Sequence, residues 1–213
     1  MTTRLQHPLL QGPAGVLEGA LHERDGRPHG IAALVLHPHP MYGGTLDNKV
    51  VHRAASTLHE LGAEVLRINF RGVGKSEGTF DDGDGELEDA RGALGWLRQR
   101  YPGARVWLAG FSFGSWIALE TGAADPRVSV LIGIAPPVTR ENYSFARTLE
   151  TTKPKFFVQG DMDELCPLKD LMSFYAKLKE PKEIAVVHGA KHLFDGQTVE
   201  VGEALEDLLA DYE

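Results

Sequence analysis

The sequence predicts an α/β fold in which a mostly parallel sheet of about eight strands carries helices on both faces. Short runs rich in Val, Ile, Leu and Phe alternate with stretches of helical periodicity along the 213 residues, a rhythm typical of strand-helix-strand units. Several runs are apolar at every position, as expected for parallel strands buried on both faces. The chain has no repeat of fixed period and no linker-like change of composition, so we expect residues 1–213 to form a single domain.

The first two predicted strands form an antiparallel hairpin at the edge of the sheet. Residues 5–10 and 16–22 flank Gly12-Pro13-Ala14-Gly15, a turn-forming tetrad. The remaining strands are predicted at residues 31–37, 63–70, 104–109, 128–134, 155–159 and 183–188. Together with the hairpin they make about eight strands.

Amphipathic stretches between the strands predict the helices that cross the sheet. Apolar residues recur at helical spacing from Val50 to Leu61, behind Asp47 as an N-cap. A second helix is predicted from Glu86 to Tyr101, where Pro102-Gly103 ends it. Further helices are predicted near residues 113–124, 167–179 and 197–211.

Composition and charge exclude several classes of function. The net charge is -8, with 22 Lys+Arg against 30 Asp+Glu, so the chain offers no basic face to nucleic acid and no polybasic segment to acidic lipid. The apolar runs are far shorter than the roughly 18 residues of a transmembrane helix, and the first residues lack the apolar region of a signal peptide. The single cysteine, Cys166, excludes an internal disulfide. We therefore expect a cytoplasmic protein that binds neither nucleic acid nor membranes.

A G-x-S-x-G motif is the strongest functional signal in the chain. It spans Gly110-Phe111-Ser112-Phe113-Gly114, directly after a predicted strand and before a predicted helix. The sharp turn presses backbone against backbone, so a Cβ at either glycine would collide with a neighbouring segment. The turn exposes the Ser112 hydroxyl and directs the Phe113 N–H toward the place where charge forms on an attacked carbonyl. We expect Ser112 to be a nucleophile and Phe113 to supply an oxyanion-stabilising N–H.

A serine nucleophile needs a general base, and the base needs an acid that orients it. One late strand leads to Asp161 and Asp163, and the last strand leads to His188 and His192. The carboxyl ends of parallel strands meet at one edge of the sheet, where ligands of open α/β folds bind. A loop residue can reach a neighbouring loop, whereas the pleat fixes the direction of a strand residue, which favours His192 over His188. The residues alone favour Asp163 over Asp161 only narrowly.

Together these motifs resemble the α/β-hydrolase superfamily, and in particular small bacterial serine hydrolases with an H-P-H-P-x-x-G-G loop. That loop stands here at His37–Gly44, and the resemblance covers nearly the whole chain. The other matches are an R-G-x-G-x-S loop at 71–76, the elbow motif at 110–114, a G-x-x-D pattern at 160–163 and a histidine after the last strand. The superfamily pattern falls on Asp163 and His192, so the resemblance implies a triad of Ser112, His192 and Asp163.

The resemblance also implies a second oxyanion donor, a backbone N–H in the loop after the third strand. Pro38 and Pro40 have no N–H and cannot supply it. If the segment from His39 to Gly43 stands where relatives carry H-G-x-x-G, the donor is Met41, and His39 is the alternative.

Many relatives insert a lid between the strand that ends near Ile134 and the next strand. Here only Ala135 to Pro154 is available, enough for a loop or one short helix but not for a lid domain. We therefore expect an open site that accepts small or accessible acyl groups.

The expected activity is that of a carboxylesterase-like serine hydrolase that acts through an acyl-enzyme and needs no metal or organic cofactor. His192 would take the proton of Ser112, and Asp163 would orient the imidazole. The expected partner is a small acyl substrate. A thioesterase, a peptidase or an acyltransferase could use the same triad, and an inactive binding module could share the fold.

Overall fold

A computed structural model describes residues 3–25, 30–210 and 212 of the chain. These residues form nine strands: β1 (Thr3–Gln6), β2 (Leu9–Gly12), β3 (Gly15–Arg24), β4 (Ile31–Leu36), β5 (Glu64–Ile68), β6 (Arg105–Phe111), β7 (Val128–Ile134), β8 (Lys155–Gly160) and β9 (Lys182–Val187). The helices are α1 (Lys49–Glu60), α2 (Asp84–Arg100), α3 (Phe113–Ala124), α4 (Ala146–Glu150), α5 (Leu168–Tyr175) and α6 (Thr198–Leu209). A single 3-10 turn at Pro40–Tyr42 follows β4.

The strands lie in one sheet whose order is β1-β3-β5-β4-β6-β7-β8-β9, with β2 also paired to β3. From β5 to β9 the neighbours are parallel, and β3 pairs antiparallel with β1, β2 and β5. The predicted α/β class with a mostly parallel sheet is therefore confirmed. Because β4, β6, β7, β8 and β9 run parallel, the loops that follow β4, β6, β8 and β9 open on the same edge of the sheet.

Strand β4 shows how the sequence divides the core into two layers. Its side chains alternate between the faces, so Ala32, Leu34 and Leu36 pack in one core and Ile31 and Ala33 pack in the other. The first core is closed by α2, α3 and α5, and the second by α1 and α6. Helices thus cover both faces, which explains why the parallel strands are apolar at nearly every position.

The opening of the chain differs from the predicted hairpin in one respect. The segment predicted as a single strand at 5–10 forms both β1 and β2, because Pro8 has no N–H to donate to a strand ladder. The carbonyl of Pro8 instead accepts a hydrogen bond from the N–H of Gly19 at 2.9 Å. Both strands still pair antiparallel with β3, so the sheet gains a ninth strand without changing its architecture.

Helix α1 is capped by Asn48 rather than by the predicted Asp47. The Asn48 side chain accepts hydrogen bonds from the N–H groups of Val50 and Val51 at 2.9 and 3.4 Å. The Asp47 carboxylate lies 3.4 Å from the guanidinium of buried Arg67. The cap therefore moves one residue along the chain, while the helix itself is the predicted one.

The connection between β7 and β8 contains one short helix, α4, within residues 135–154. The remainder of this connection is turns and extended chain. No helix in the described part of the chain has the length and apolar character needed to cross a membrane.

His37 ties the carboxyl end of β4 to the chain that leaves β5. Its imidazole is fully buried, with Nε2 accepting from the N–H of Phe70 at 3.0 Å and Nδ1 2.6 Å from the carbonyl oxygen of Pro38. This pair of bonds requires the neutral ring with its proton on Nδ1. Burial lowers the pKa of His37 to about 4, although the bond to the Pro38 carbonyl acts in the opposite direction.

The buried neutral state of His37 predicts a loss of stability in mild acid. Between its ordinary pKa of 6.5 and the folded value of about 4, the unfolded chain binds a proton that the folded chain does not. The free energy of unfolding should therefore fall as the pH is lowered through this window, by about 3 kcal/mol from His37 at pH 4.

Urea unfolding of the wild type and of His37→Asn at several pH values between 4 and 7 measures this contribution. The asparagine cannot titrate in this range, so the stability of the variant, whatever its value at pH 7, should fall less than that of the wild type across the window. Equal pH dependence in the two proteins would contradict the assignment.

Candidate active site

Ser112 stands at a sharp turn between β6 and α3. Its backbone has φ 53° and ψ -120°, a left-handed conformation that residues other than glycine rarely adopt. A Cβ on Gly110 would lie 2.1 Å from the carbonyl oxygen of Gly114, and a Cβ on Gly114 would lie 2.5 Å from that of Leu36. Both glycines therefore sit where backbone meets backbone, which is the collision expected from the motif.

The structure brings Ser112, His192 and Asp163 into one hydrogen-bonded chain. His192 Nε2 is 2.9 Å from Ser112 Oγ, and His192 Nδ1 is 2.8 Å from Asp163 Oδ2. These residues are supplied by the turn after β6, the loop after β8 and the loop after β9. Chemically, the imidazole can take the hydroxyl proton while the carboxylate holds the other ring nitrogen.

Asp163 is buried and well supplied with hydrogen-bond donors. Its Oδ1 accepts from the N–H groups of Leu165 and Cys166 at 2.9 and 2.8 Å, and its Oδ2 accepts from Gln159 Nε2 at 3.0 Å. Burial acts to raise the pKa of Asp163, but the hydrogen bonds from His192, Cys166 and Leu165 lower it further than burial raises it. The carboxyl group is therefore held ionised beside the imidazole.

The other two candidates from the sequence form a separate pair. His188 Nδ1 is 3.0 Å from Asp161 Oδ2, and Asp161 Oδ1 also accepts from the N–H of Gly189 at 2.7 Å. The bonds from His188 and Gly189 lower the pKa of Asp161. This pair lies at the surface, with the His188 side chain 90% exposed, and it has no hydrogen bond to Ser112 among the described residues.

The three candidate oxyanion donors, the N–H groups of Phe113, His39 and Met41, differ in whether the N–H already has a hydrogen-bond acceptor. Among the described residues, the N–H groups of Phe113 and His39 have no hydrogen-bond partner. The N–H of Met41 donates to the Nδ1 of His39 at 3.2 Å, because the His39 side chain caps the 3-10 turn that begins at Pro40. Met41 also lies outside the lining of the pocket at Ser112, whereas His39 lies within it.

A pocket of about 350 Å³ opens at Ser112 and His192. One wall is aromatic: the ring of His39 contacts Tyr42, Phe80 and Phe113, with ring centroids 4.7, 4.9 and 5.0 Å away. The rest of the lining comes from the β7–β8 connection and from the loops that carry the triad, through Pro137, Arg140, Tyr143, Leu165 and Leu193. This volume lies at the lower end of the range for small-molecule sites, which is about 300–1,000 Å³.

No metal site is formed by the histidines of the H-P-H-P loop. His37 bonds to two backbone groups and His39 to one. The described residues contain no group of three or more His, Cys, Asp or Glu that could hold a metal ion.

Sequence reasoning missed two residues of this site. Gln159 donates hydrogen bonds to Asp163 and to the carbonyl of Cys166, the latter at 2.7 Å. The feature of the sequence that could have indicated it is a polar side chain directly after the apolar run Phe156-Phe157-Val158. Arg140 lines the pocket, but it lies in a connection without periodicity, so no pattern in the sequence could indicate it.

Comparison with known proteins relates the whole chain to α/β serine hydrolases. A family model described as serine aminopeptidase, S33, matches residues 43–152. An uncharacterised protein of Rickettsia prowazekii is 40% identical over 207 residues, which cover 94% of this chain and 87% of the relative. These likenesses extend over most of the chain.

Two solved structures give the same relationship in three dimensions. An α/β serine hydrolase homologue from Coxiella burnetii is 39% identical with a TM-score of 0.89, covering 100% of this chain and 99% of its own. The Xanthomonas campestris protein XC6422, described as an α/β serine hydrolase without a lid, is 35% identical with a TM-score of 0.90, covering 100% and 96%. Since a chain that matches these proteins from end to end leaves no room for an inserted domain, the expected lidless α/β-hydrolase fold is confirmed, and the chain belongs to the α/β serine hydrolase family.

Proposed function

We propose that this protein is a carboxylesterase-like hydrolase that cleaves small or accessible acyl esters through an acyl-enzyme on Ser112. The observation that carries the proposal is the hydrogen-bonded chain from Ser112 through His192 to Asp163 at the mouth of a small, open pocket. A strained, half-buried serine that lines the pocket beside an imidazole oriented by a buried carboxylate is the arrangement required for acyl transfer.

The proposed reaction has two steps that share one base. His192 takes the proton of Ser112 as the oxygen attacks the ester carbonyl, and the imidazolium then gives that proton to the leaving alcohol. In the second step a water molecule gives a proton to His192 as its oxygen attacks the acyl carbonyl. The imidazolium then returns that proton to the Ser112 oxygen as the acid leaves. Asp163 stays ionised throughout and stabilises the imidazolium.

For the oxyanion we assign the N–H of Phe113 and, as second donor, the N–H of His39 in place of Met41. Both assigned groups lack a partner among the described residues, and both residues line the pocket. The Met41 N–H is engaged by the His39 imidazole. A donor already bonded within its own loop would have to break that bond before it could stabilise a developing charge.

Ester hydrolysis is favoured over aminopeptidase activity, although the matching family model is described as a serine aminopeptidase. An aminopeptidase holds the ammonium group of its substrate, which calls for an anionic side chain in the pocket. The formally charged lining residue in the described pocket is Arg140, a cation. A thioesterase or an acyltransferase would use the same triad with a different leaving group or acceptor.

A matched set of acyl substrates separates the esterase from the aminopeptidase. We expect p-nitrophenyl propanoate to be hydrolysed, and alanine p-nitroanilide to be cleaved no faster than propanoyl p-nitroanilide, because the two anilides differ only in the α-ammonium group. Values of kcat/KM measure the difference. A clear preference for the alanine anilide would indicate an aminopeptidase instead.

Removal of the nucleophile should end turnover. Ser112→Ala is expected to lower kcat/KM on p-nitrophenyl acetate by about 10⁴-fold or more, because neither the covalent path nor the proton transfer remains. The variant should also fail to react with a fluorophosphonate probe that labels the wild type. Labelling of the variant to the wild-type extent would refute the nucleophile assignment.

The two Asp–His pairs provide a matched test of the base. His192→Ala should lose about 10⁴-fold or more in kcat, whereas His188→Ala should stay close to wild-type activity, since the latter imidazole bonds only to Asp161 and faces solvent. Likewise Asp163→Asn should cost about 10⁴-fold and Asp161→Asn should cost little. The proposal fails if the variants of the surface pair are the inactive ones.

A further inference from the structure

Arg140 lies in the wall of the pocket that contains Ser112, and its guanidinium has no carboxylate partner in the described part of the chain. The side chain is exposed, and no Asp or Glu of the described residues lies within salt-bridge distance of it. None of the described residues that line this pocket is Asp or Glu. In a chain whose net charge is -8, the site that faces the substrate thus presents a positive charge.

Hydrogen bonds hold the backbone at Arg140 in place, while the side chain is exposed to solvent. Its N–H donates to the carbonyl of Pro137, and its own carbonyl accepts from the N–H of Tyr143, both at 3.1 Å. The Tyr143 ring stacks on Trp116 at 4.3 Å and 14°, and Trp116 Nε1 donates to the carbonyl of Ser144 at 2.8 Å. The guanidinium therefore extends from a fixed point on the pocket wall, so little ordering of the backbone is needed to use it.

The charge of Arg140 reaches the aromatic wall of the pocket. Burial is the main cause of the lowered pKa of His39, and the Arg140 charge lowers it further, while Asp82 opposes both. The pKa of Tyr143 is raised, chiefly by burial, and Arg140 acts against that rise. His39 and Tyr143 both line the pocket, and both thus lie within the electric field of the Arg140 guanidinium, which the carboxylates of Asp82 and Glu86 partly oppose.

We propose that Arg140 binds a carboxylate group of the substrate, so that the preferred substrate class is a small ester carrying one carboxylate. This inference rests on the proposed esterase function and adds a substrate class to it. The planar guanidinium presents paired N–H donors that match a carboxylate in a bidentate bond. A single cation, whose field the carboxylates of Asp82 and Glu86 oppose, balances one negative charge better than the two of a phosphate monoester.

Pairs of esters that differ only in charge test the inference. The carboxylate is placed on the acyl side in p-nitrophenyl hemiglutarate and on the leaving-group side in 4-acetoxybenzoate, and each is compared with its neutral primary amide. In at least one pair we expect the wild type to prefer the carboxylate by roughly 10-fold or more in kcat/KM, as for a charge-assisted hydrogen bond at a solvent-accessible site. Added salt should reduce the preference.

Substitution of Arg140 should abolish this preference. In Arg140→Gln the ratio of kcat/KM between carboxylate and amide esters should fall to about one, and in Arg140→Glu it should fall below one. Because the ratio is taken within one variant, a general change in activity cancels. The matched control is Arg98→Gln, which replaces an exposed arginine of α2 that does not line the pocket and should keep the wild-type ratio.

The possible outcomes separate the inference from the function on which it rests. Hydrolysis of all four esters without any preference for the carboxylates would overturn the role of Arg140 and leave the esterase intact. An equal preference in wild type and Arg140→Gln would also overturn it. Failure of the wild type to hydrolyse any of the four esters would overturn the role of Arg140, and if p-nitrophenyl acetate and propanoate were also left intact it would overturn the esterase proposal as well.

Discussion

The close approach of two backbones at the elbow is the constraint on which the rest of the site depends. Gly114 can begin α3 only by lying against the last residues of β4, where a single Cβ would come within 2.5 Å of a carbonyl oxygen. This contact sets the position of the helix and holds Ser112 in a left-handed conformation, with its hydroxyl pointing at His192. Ser112 is therefore positioned only when β4, β6 and β7 lie side by side, so the geometry of the site depends on the strand order of the sheet.

The loops after β8 and β9 carry two Asp–His pairs with very different surroundings. Asp163 and His192 are buried, and three donors besides the imidazole fix the carboxylate, so the pair is held in a single geometry. Asp161 and His188 form a contact of 3.0 Å at the surface, where solvent weakens the interaction. The difference in role that we propose for these pairs follows from burial and from reach toward Ser112, since their residue types are identical.

The pocket combines an aromatic wall, a cation and free access from solvent. In the absence of an inserted domain, the β7–β8 connection must shape the pocket with about twenty residues, and it does so by stacking Tyr143 on Trp116 and by tying Thr139 to the loop that carries Asp163. In the function that we propose, substrate selection would depend on a few side chains of this short segment, and small polar acyl compounds would fit better than long chains, which need a covered apolar channel.

The sequence by itself determined the features that depend on local pattern and on steric necessity. Apolar runs identified the parallel strands, and the glycines around Ser112 identified the elbow, because period and excluded volume are properties of neighbouring residues. Tertiary structure decided everything that depends on where a distant group comes to lie: the separation of His192 from His188 and the position of Arg140. The break of the first strand at Pro8 and the choice of Asn48 over Asp47 as cap have local causes, but several local conformations suit the same residues and the folded chain selects one. The same holds for Met41, whose N–H is occupied by the imidazole two residues earlier, since a hydrogen bond depends on the side-chain rotamers and loop geometry that only the folded chain selects.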